Sequence, residues 1–164
     1  MKIYLKYFKK DDGLLGENSK ILQLYLDACD EKNIRSAFLK FWTVAEKVTQ
    51  ISSTDKHSKV VERLLKFVRA EDRGYFKMML TNIALNRNLV THEGEASDFS
   101  TIQTLVYQIH DFIHYMIVFC LSNDMNFNDA EELRRYLDLP RNLEDLEVRQ
   151  KLLEKAIEHR LKYP

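Results

Sequence analysis

The sequence contains few of the residues that build turns and cross-links: four glycines, two prolines and two cysteines among 164 residues. An all-β architecture of this length needs many more glycines and prolines at its turns, so their scarcity argues against one. Cys29 and Cys120 lie far apart and form no CxxC pair. We therefore expect both to be small buried apolar residues in a reducing compartment, and not parts of a disulfide or metal site.

The chain also lacks an excess of charge of either sign, because 25 Lys and Arg residues balance 25 Asp and Glu residues. A domain that coats nucleic acid through bulk basicity is therefore disfavoured. An enzyme with a local basic cleft remains compatible with this balance. A net charge of zero also removes one barrier to self-association.

Long apolar runs are missing as well. The longest, from Tyr115 to Leu121, is too short to cross a bilayer. The first twelve residues, MKIYLKYFKKDD, are punctuated by lysines and lack the apolar centre of a signal peptide. We expect a cytoplasmic protein that does not enter the membrane.

The chain length fits one domain. Residues 1–16 are ambiguous, because their apolar residues fit a short strand and a helix equally well, with a turn at Asp11-Asp12-Gly13. Residues 17–164 carry helical periodicity throughout, with a polar break predicted from Glu71 to Gly74. We predict an all-α, antiparallel bundle of about six or seven helices.

Residues suited to capping and stopping helices stand between the apolar stripes. The predicted N-caps are Asn33, Thr54 or Asp55, Ser97 or Asp98, Asn128 in a capping box with Glu131, and Asn142. The second helix is predicted to end near Ile51-Ser52-Ser53, and Gly94 to stop the fourth. The first helix is predicted to bury Ile21, Leu22, Tyr25, Leu26 and Cys29. The last is predicted to turn Leu146, Leu153, Ala156, Ile157 and Leu161 inward.

The stretch RNLVTHEG, from Arg87 to Gly94, is the most informative feature of the sequence. Arg87 offers a forked, permanently charged donor that fits a phosphate. Histidine is the one residue type whose ordinary pKa allows proton transfer in both directions near neutral pH, and His92 supplies one here. A phosphate clamp beside a proton carrier is a minimal apparatus for cleaving a phosphodiester without metal.

Helical geometry places Asn88 and His92 on one face, since they are four residues apart. Arg87 and His92 diverge by roughly 140° around the axis, so the long arginine side chain must swing toward the histidine to share a ligand. The alternative is that Arg87 pairs with Glu93 or Glu95 and His92 is exposed at the helix end.

The stretch resembles the Arg-x4-6-His signature of the HEPN (higher-eukaryote and prokaryote nucleotide-binding) superfamily. The surrounding order is similar to its Apea-like branch: a helix FLKFWTVAEKV, the motif helix, a long hydrophobic helix, then NFNDAEELRRYLDLP and a charged closing helix. The resemblance spans roughly residues 18 to 160. Apea-like domains often form the C-terminal part of larger chains.

The resemblance implies a metal-independent endoribonuclease that cleaves single-stranded RNA by attack of the 2′-OH, needs no cofactor, and acts as a toxin or antiviral-defence effector. It also implies a homodimer with a composite active site and an antitoxin or other regulatory protein partner. His92 would handle protons, Arg87 would bind the scissile phosphate, Asn88 would orient it, and Glu46 would orient the arginine or histidine. The alternative is a catalytically silent HEPN-like module for dimerisation or for nucleotide or RNA binding.

A second constellation, His110-Asp111-Phe112-Ile113-His114, is similar to a zinc-protease HExxH motif with aspartate in place of glutamate. Aspartate is shorter than the glutamate that must reach a metal-bound water, and no third ligand follows. We therefore expect no metal site, and histidines that pack beside the apolar stripe. His57 and His159 lie in charged helical segments and are expected to have no special role.

Overall fold

The computed structural model describes residues 14–50, 56–92 and 98–163, and within these ranges the chain is helical without a strand. The predicted turn at residues 11–13, the alternative cap at Ser97 and the stop at Gly94 lie outside the described residues. The cap predicted at Thr54 or Asp55 is wrong, because the helix that begins at His57 has Lys56 as its N-cap, without a side-chain capping hydrogen bond. The described helices are α1 (Leu14–Cys29), α2 (Ile34–Val48), α3 (His57–Leu64), α4 (Arg73–His92), α5 (Phe99–Ser122), α6 (Ala130–Leu137) and α7 (Leu143–Lys162). A 3₁₀ turn, Leu65–Phe67, follows α3. The all-α prediction is confirmed for these residues.

Helices α2 and α5 form the centre of the bundle, and α1 packs against both. Phe38, Phe41 and Trp42 of α2 are buried, as their periodicity predicts. Nine apolar residues recur at helical spacing along α5, of which eight are buried and Phe112 is partly buried against the core: Ile102, Leu105, Val106, Ile109, Phe112, Ile113, Met116, Ile117 and Cys120. The central layer therefore follows from apolar residues recurring at helical spacing.

The first helix buries a different set of residues from the one predicted. Ile21, Leu22 and Tyr25 are buried, whereas Leu26 and Cys29 are exposed. Ala28 and Asn18 take their places in the core, and the Asn18 amide donates to the Cys120 carbonyl at 2.7 Å. The buried face therefore includes a small residue and a polar residue, and the polar one, Asn18, contacts α5. Burial raises the pKa of Cys120 to about 12, which leaves it an inert thiol.

Three predicted N-caps are confirmed by side-chain hydrogen bonds. Asn33 accepts from Arg35 N and Ser36 N, Asp98 accepts from Thr101 N, and Asn142 accepts from Asp145 N. The prediction at Asn128 is wrong by one residue. Asp129 is the cap of α6, and its carboxylate accepts from Glu132 N at 2.8 Å.

Glu132 explains why the cap lies one residue later than predicted. Its carboxylate accepts a hydrogen bond from the backbone N–H of Asn128 at 2.8 Å. In a capping box one residue makes both reciprocal hydrogen bonds with the glutamate. Here Asp129 accepts from the Glu132 N–H, and Asn128 donates to the Glu132 carboxylate. Helix α4 begins earlier than predicted, since it includes Arg73 and Gly74. No atom lies within 4 Å of the position that a Cβ on Gly74 would occupy.

The guanidinium of Arg63 is buried and joins three elements. Its Nε and Nη2 donate to the Asp138 carboxylate after α6, and its Nη1 donates to the carbonyls of Thr49 and Gln50 after α2. Only 1% of the Arg63 side chain is exposed. A buried arginine is tolerated only when its donors are satisfied, and here five hydrogen bonds serve them.

Helix α2 ends at Val48, before the predicted position near residues 51–53. Thr49 is its C-cap, and Gln50 adopts a left-handed φ of 53° while its N–H donates to Lys47 O at 3.0 Å. A left-handed residue after the C-cap is a common helix stop. Here it occurs without glycine, beside the carbonyls that Arg63 binds.

The predicted inward face of the last helix is wrong. No residue of α7 is buried, and only Leu146 among the five predicted core residues is even half-buried. The apolar stripe exists, but no described element covers it. Periodicity shows that one face of a helix is apolar and does not show what packs against it.

Helix α5 has the length and composition of a membrane-crossing helix, and is the one described helix that does. The seven-residue apolar run in the sequence did not predict this. Its buried residues pack against α1 and α2, and the central helix of a bundle commonly has the same composition.

We predict that Arg63→Met lowers the free energy of unfolding by about 3 kcal/mol, because it leaves two helix-end carbonyls and a carboxylate without their donor. This is the low end for a buried pair, since Asp138 is 40% exposed. Urea denaturation followed by circular dichroism measures the change. The matched control, Arg135→Met on the exposed side of α6, is expected to change stability by less than about 0.5 kcal/mol. Equal effects of the two variants would contradict the role given to Arg63.

Candidate functional site

Arg87 lies near the end of α4, where its guanidinium meets residues from α2 and α3. Nη1 is 3.1 Å from His57 Nε2 and 3.3 Å from its own neighbour, Asn88 Oδ1. Nη2 is 4.0 Å from Glu46 Oε1. The side chain is 22% exposed, so the cation is partly desolvated yet reachable from solvent. Partial burial strengthens its attraction for an anion.

A single carboxylate oxygen, Oε1 of Glu46, is shared by three groups. Trp42 Nε1 donates to it at 2.7 Å, His57 Nδ1 lies 3.5 Å away, and Arg87 Nη2 lies at the edge of ion-pair range. Trp42 is buried and sits one turn before Glu46 on α2. The indole therefore holds the carboxylate in place, and the carboxylate faces the arginine and the histidine. Glu46 therefore lies beside the motif arginine, and its expected role in orienting Arg87 or His92 stays a prediction.

His57 is the residue that sequence reasoning missed. It opens α3, and its ring also packs edge-on against Trp42 with centroids 5.8 Å apart. Arg87 has only donors, so the contact at 3.1 Å makes His57 Nε2 an acceptor. This role places a proton on Nδ1, the nitrogen that faces Glu46. No spacing within the sequence signals this contact, because it spans 30 residues and two helices.

The backbone of α4 stays helical through His92, the last residue of the helix. Arg87 and His92 therefore keep the angular divergence of roughly 140° that a regular helix imposes. The side chain of His92 lies outside the described part of the chain, as do Glu93 and Glu95. Whether Arg87 and His92 meet on one ligand stays a prediction.

An open groove of about 600 Å³ runs beside this cluster between α3 and α4. His57 and Asn88 line one part of it. Four cations, Lys66, Arg73, Lys77 and Arg141, line it as well, opposed by one carboxylate, that of Glu62. A chain with no net charge thus concentrates positive charge along one described groove.

The groove cations crowd one another. Burial lowers the pKa of Lys66; Asp138 acts against this shift, Arg141 and Arg73 add to it, and Glu62 opposes it weakly. Lys66 donates to the Leu139 carbonyl and Arg141 to the Leu65 carbonyl, so both are also anchored to the fold. Arg73 Nε is buried without a hydrogen-bond partner. An anion in the groove would relieve the repulsion between these charges.

The histidine pair of α5 forms a different cluster, around the hydroxyl of Tyr25. Tyr25 Oη lies 2.9 Å from His110 Nε2 and 3.5 Å from His114 Nδ1, and His110 Nδ1 lies 3.0 Å from Asp111. Within residues 14–50, 56–92 and 98–163, no group of three or more His, Cys, Asp or Glu side chains is arranged to hold a metal. The pair thus contacts a buried tyrosine, as expected of histidines beside an apolar stripe.

Comparison of the chain with protein-family models, with curated proteins and with solved structures gave no match. The contacts around Arg87 and the charge of the adjacent groove therefore carry the functional interpretation. Glu46, Arg87 and Asn88, three of the four predicted site residues, lie together, and His57 joins them.

We predict that neutral His57 carries its proton on Nδ1, whereas exposed His159 favours the Nε2–H form common in solution. Two-dimensional nuclear magnetic resonance of the imidazole nitrogens distinguishes the tautomers. Glu46→Gln is expected to weaken the preference at His57, because it removes the carboxylate that faces Nδ1, and to leave His159 unchanged. An Nε2–H tautomer at His57 in the unaltered protein would refute the arrangement.

Proposed function

We propose that this protein is a HEPN-type, metal-independent endoribonuclease that cleaves single-stranded RNA. The observation that carries the proposal is the grouping of Arg87, Asn88, Glu46 and His57 at the edge of a basic groove. A carboxylate and an imidazole hold the guanidinium near the groove. The motif in the sequence and this cluster thus point to the same chemistry.

The reaction needs no cofactor because RNA supplies its own nucleophile. A general base removes the proton from the 2′-OH, the O2′–P bond forms, and the P–O5′ bond breaks as a general acid protonates the leaving oxygen. The products are a 2′,3′-cyclic phosphate and a 5′-OH. Arg87 stabilises the charge that develops on the phosphoryl oxygens, and Asn88 orients them.

His92 serves as the proton carrier in this proposal, and His57 positions Arg87. Acid and base catalysis together require two proton carriers, which a two-fold dimer supplies by bringing two copies of the motif together. We propose such a homodimer. A monomeric variant that keeps full cleavage would refute the requirement for it.

The biological setting follows from the same proposal. A ribonuclease without a metal requirement is active wherever RNA is accessible, so a cell that makes one needs a means of restraint. We propose a cytoplasmic toxin or antiviral-defence effector that a regulatory protein partner holds in check.

The test is incubation of the protein with single-stranded RNA in the presence of a chelator. The wild type is expected to cut and to leave 2′,3′-cyclic phosphate ends. Arg87→Ala and His92→Ala are each expected to lose at least about 100-fold in rate, and Glu46→Ala a smaller factor because it acts through Arg87. Mass spectrometry of the products identifies the ends.

Arg135→Ala and His159→Ala, both on exposed helical faces away from the groove, are the matched controls and are expected to cut at the wild-type rate. RNA binding without cleavage would contradict the ribonuclease and support the silent HEPN-like binding module. Hydrolysis that stops in chelator and depends on His110 and His114 would contradict it in favour of a metal enzyme.

A further inference from the structure

One face of α4 presents groove-lining residues at four-residue spacing: Arg73, Lys77 and Thr81, followed by Leu85 and then Asn88 beside Arg87. On a helix this spacing aligns side chains in a row. From Arg73 to Asn88 the row is about 22 Å long, at 1.5 Å per residue. The cationic end of the row lies at the start of α4, and the candidate site lies at the other end.

The opposite wall of the groove is cationic near the same end. Lys66, from the 3₁₀ turn, and Arg141, just before α7, face the groove there. Their donors to backbone carbonyls hold both side chains in place. Lys77, in contrast, is exposed, and no described hydrogen bond or ion pair engages its ammonium group. It is therefore a cation that can bind a ligand without loss of an internal contact.

We propose that this groove is a track for the phosphodiester backbone of single-stranded RNA, which places nucleotides next to the scissile phosphate while Arg87 binds that phosphate. The proposal rests on the proposed function and adds the route of the substrate. Backbone contacts by lysine and arginine are independent of base identity. The track therefore contributes affinity without sequence preference, and its contribution falls as salt rises.

The test uses a 2′-O-methyl RNA oligonucleotide, which lacks the nucleophilic hydroxyl and so cannot be cut. Fluorescence anisotropy at several salt concentrations gives its Kd and the slope of log Kd against log salt. Lys77→Gln is expected to weaken binding about fivefold in 0.1 M salt and to lower the slope by about 0.7, the value for one phosphate contact on a single strand. Arg73→Gln is the second variant, because its buried Nε lacks a partner.

Lys155→Gln, on α7 and remote from the groove lining, is the matched control and is expected to leave both quantities unchanged. On cleavable RNA, Lys77→Gln is expected to raise KM with little change in kcat. If Lys77→Gln and Lys155→Gln bind alike, the track is refuted whether or not the protein cuts RNA. If binding depends on Lys77 and no RNA is cut, the track is supported and the ribonuclease is refuted.

The exposed apolar stripe of α7 carries a second inference, which is independent of any activity. Leu153, Ile157 and Leu161 are 57%, 58% and 80% exposed, and together with half-buried Leu146 they lie along one side of the helix. At 20 residues the helix is about 30 Å long. A contiguous apolar surface of this length on a helix is typical of a protein interface.

The charges of α7 indicate what covers the stripe. Asp145 in its first turn and Arg160 in its last turn flank the stripe on the same side. Two copies of this helix packed antiparallel place Asp145 of one copy beside Arg160 of the other, and antiparallel helix dipoles attract. We infer that α7 pairs with α7 of a second copy of this chain in that arrangement.

Analytical ultracentrifugation over a concentration series tests the pairing. The wild type is expected to dimerise, and the double variant Leu153→Glu with Ile157→Glu to stay monomeric with its helix content unchanged. Lys155→Glu, on the opposite side of the helix, is the control and is expected to dimerise. A monomeric wild type, or a dimer that the double variant leaves intact, would overturn the inference.

Charge reversal tests the direction of the pairing. Asp145→Lys is expected to weaken the dimer, and adding Arg160→Glu to restore it. In a parallel pair the first change would replace one repulsion by another, and the two together would restore nothing. That outcome would contradict the antiparallel arrangement.

Discussion

The buried guanidinium of Arg63 is the constraint on which the site depends. Through Thr49 and Gln50 it holds α3 against the end of α2, and through Asp138 it joins both to the end of α6. Glu46 lies one turn before Thr49, and His57 opens the helix that Arg63 anchors. The contact between α2 and α3 therefore fixes the carboxylate and the imidazole relative to each other.

Arg87 completes the arrangement from a third helix. Glu46 is held by the buried indole of Trp42, faces His57, and lies at ion-pair range from the guanidinium. In this order, a buried aromatic residue positions a carboxylate, and the carboxylate in turn orients the Arg87 guanidinium. The adjacent groove carries local positive charge, although the chain as a whole has a net charge of zero.

Much of the helical frame was predictable, because the caps at Asn33, Asp98 and Asn142 and the stripes of α2 and α5 are set by local sequence. The site was predictable only in part. Arg63 sits among charged neighbours that resemble a solvated face, and His57 acquires its role by meeting a residue 30 positions away. The stripe of α7 was visible, but what covers it depends on surfaces that periodicity does not encode.

Arg87 and His57 are coupled through their contact at 3.1 Å and through Glu46, so a ligand that binds the guanidinium is expected to perturb both side chains. The direct measurement is a titration of isotope-labelled protein with a short RNA whose scissile 2′-OH is replaced by hydrogen, followed through the guanidinium and imidazole nitrogen signals. The Arg87 and His57 signals are expected to shift together with one Kd, while those of Arg135 and His159 stay in place. Saturable binding that leaves the Arg87 signal unmoved would refute this coupling.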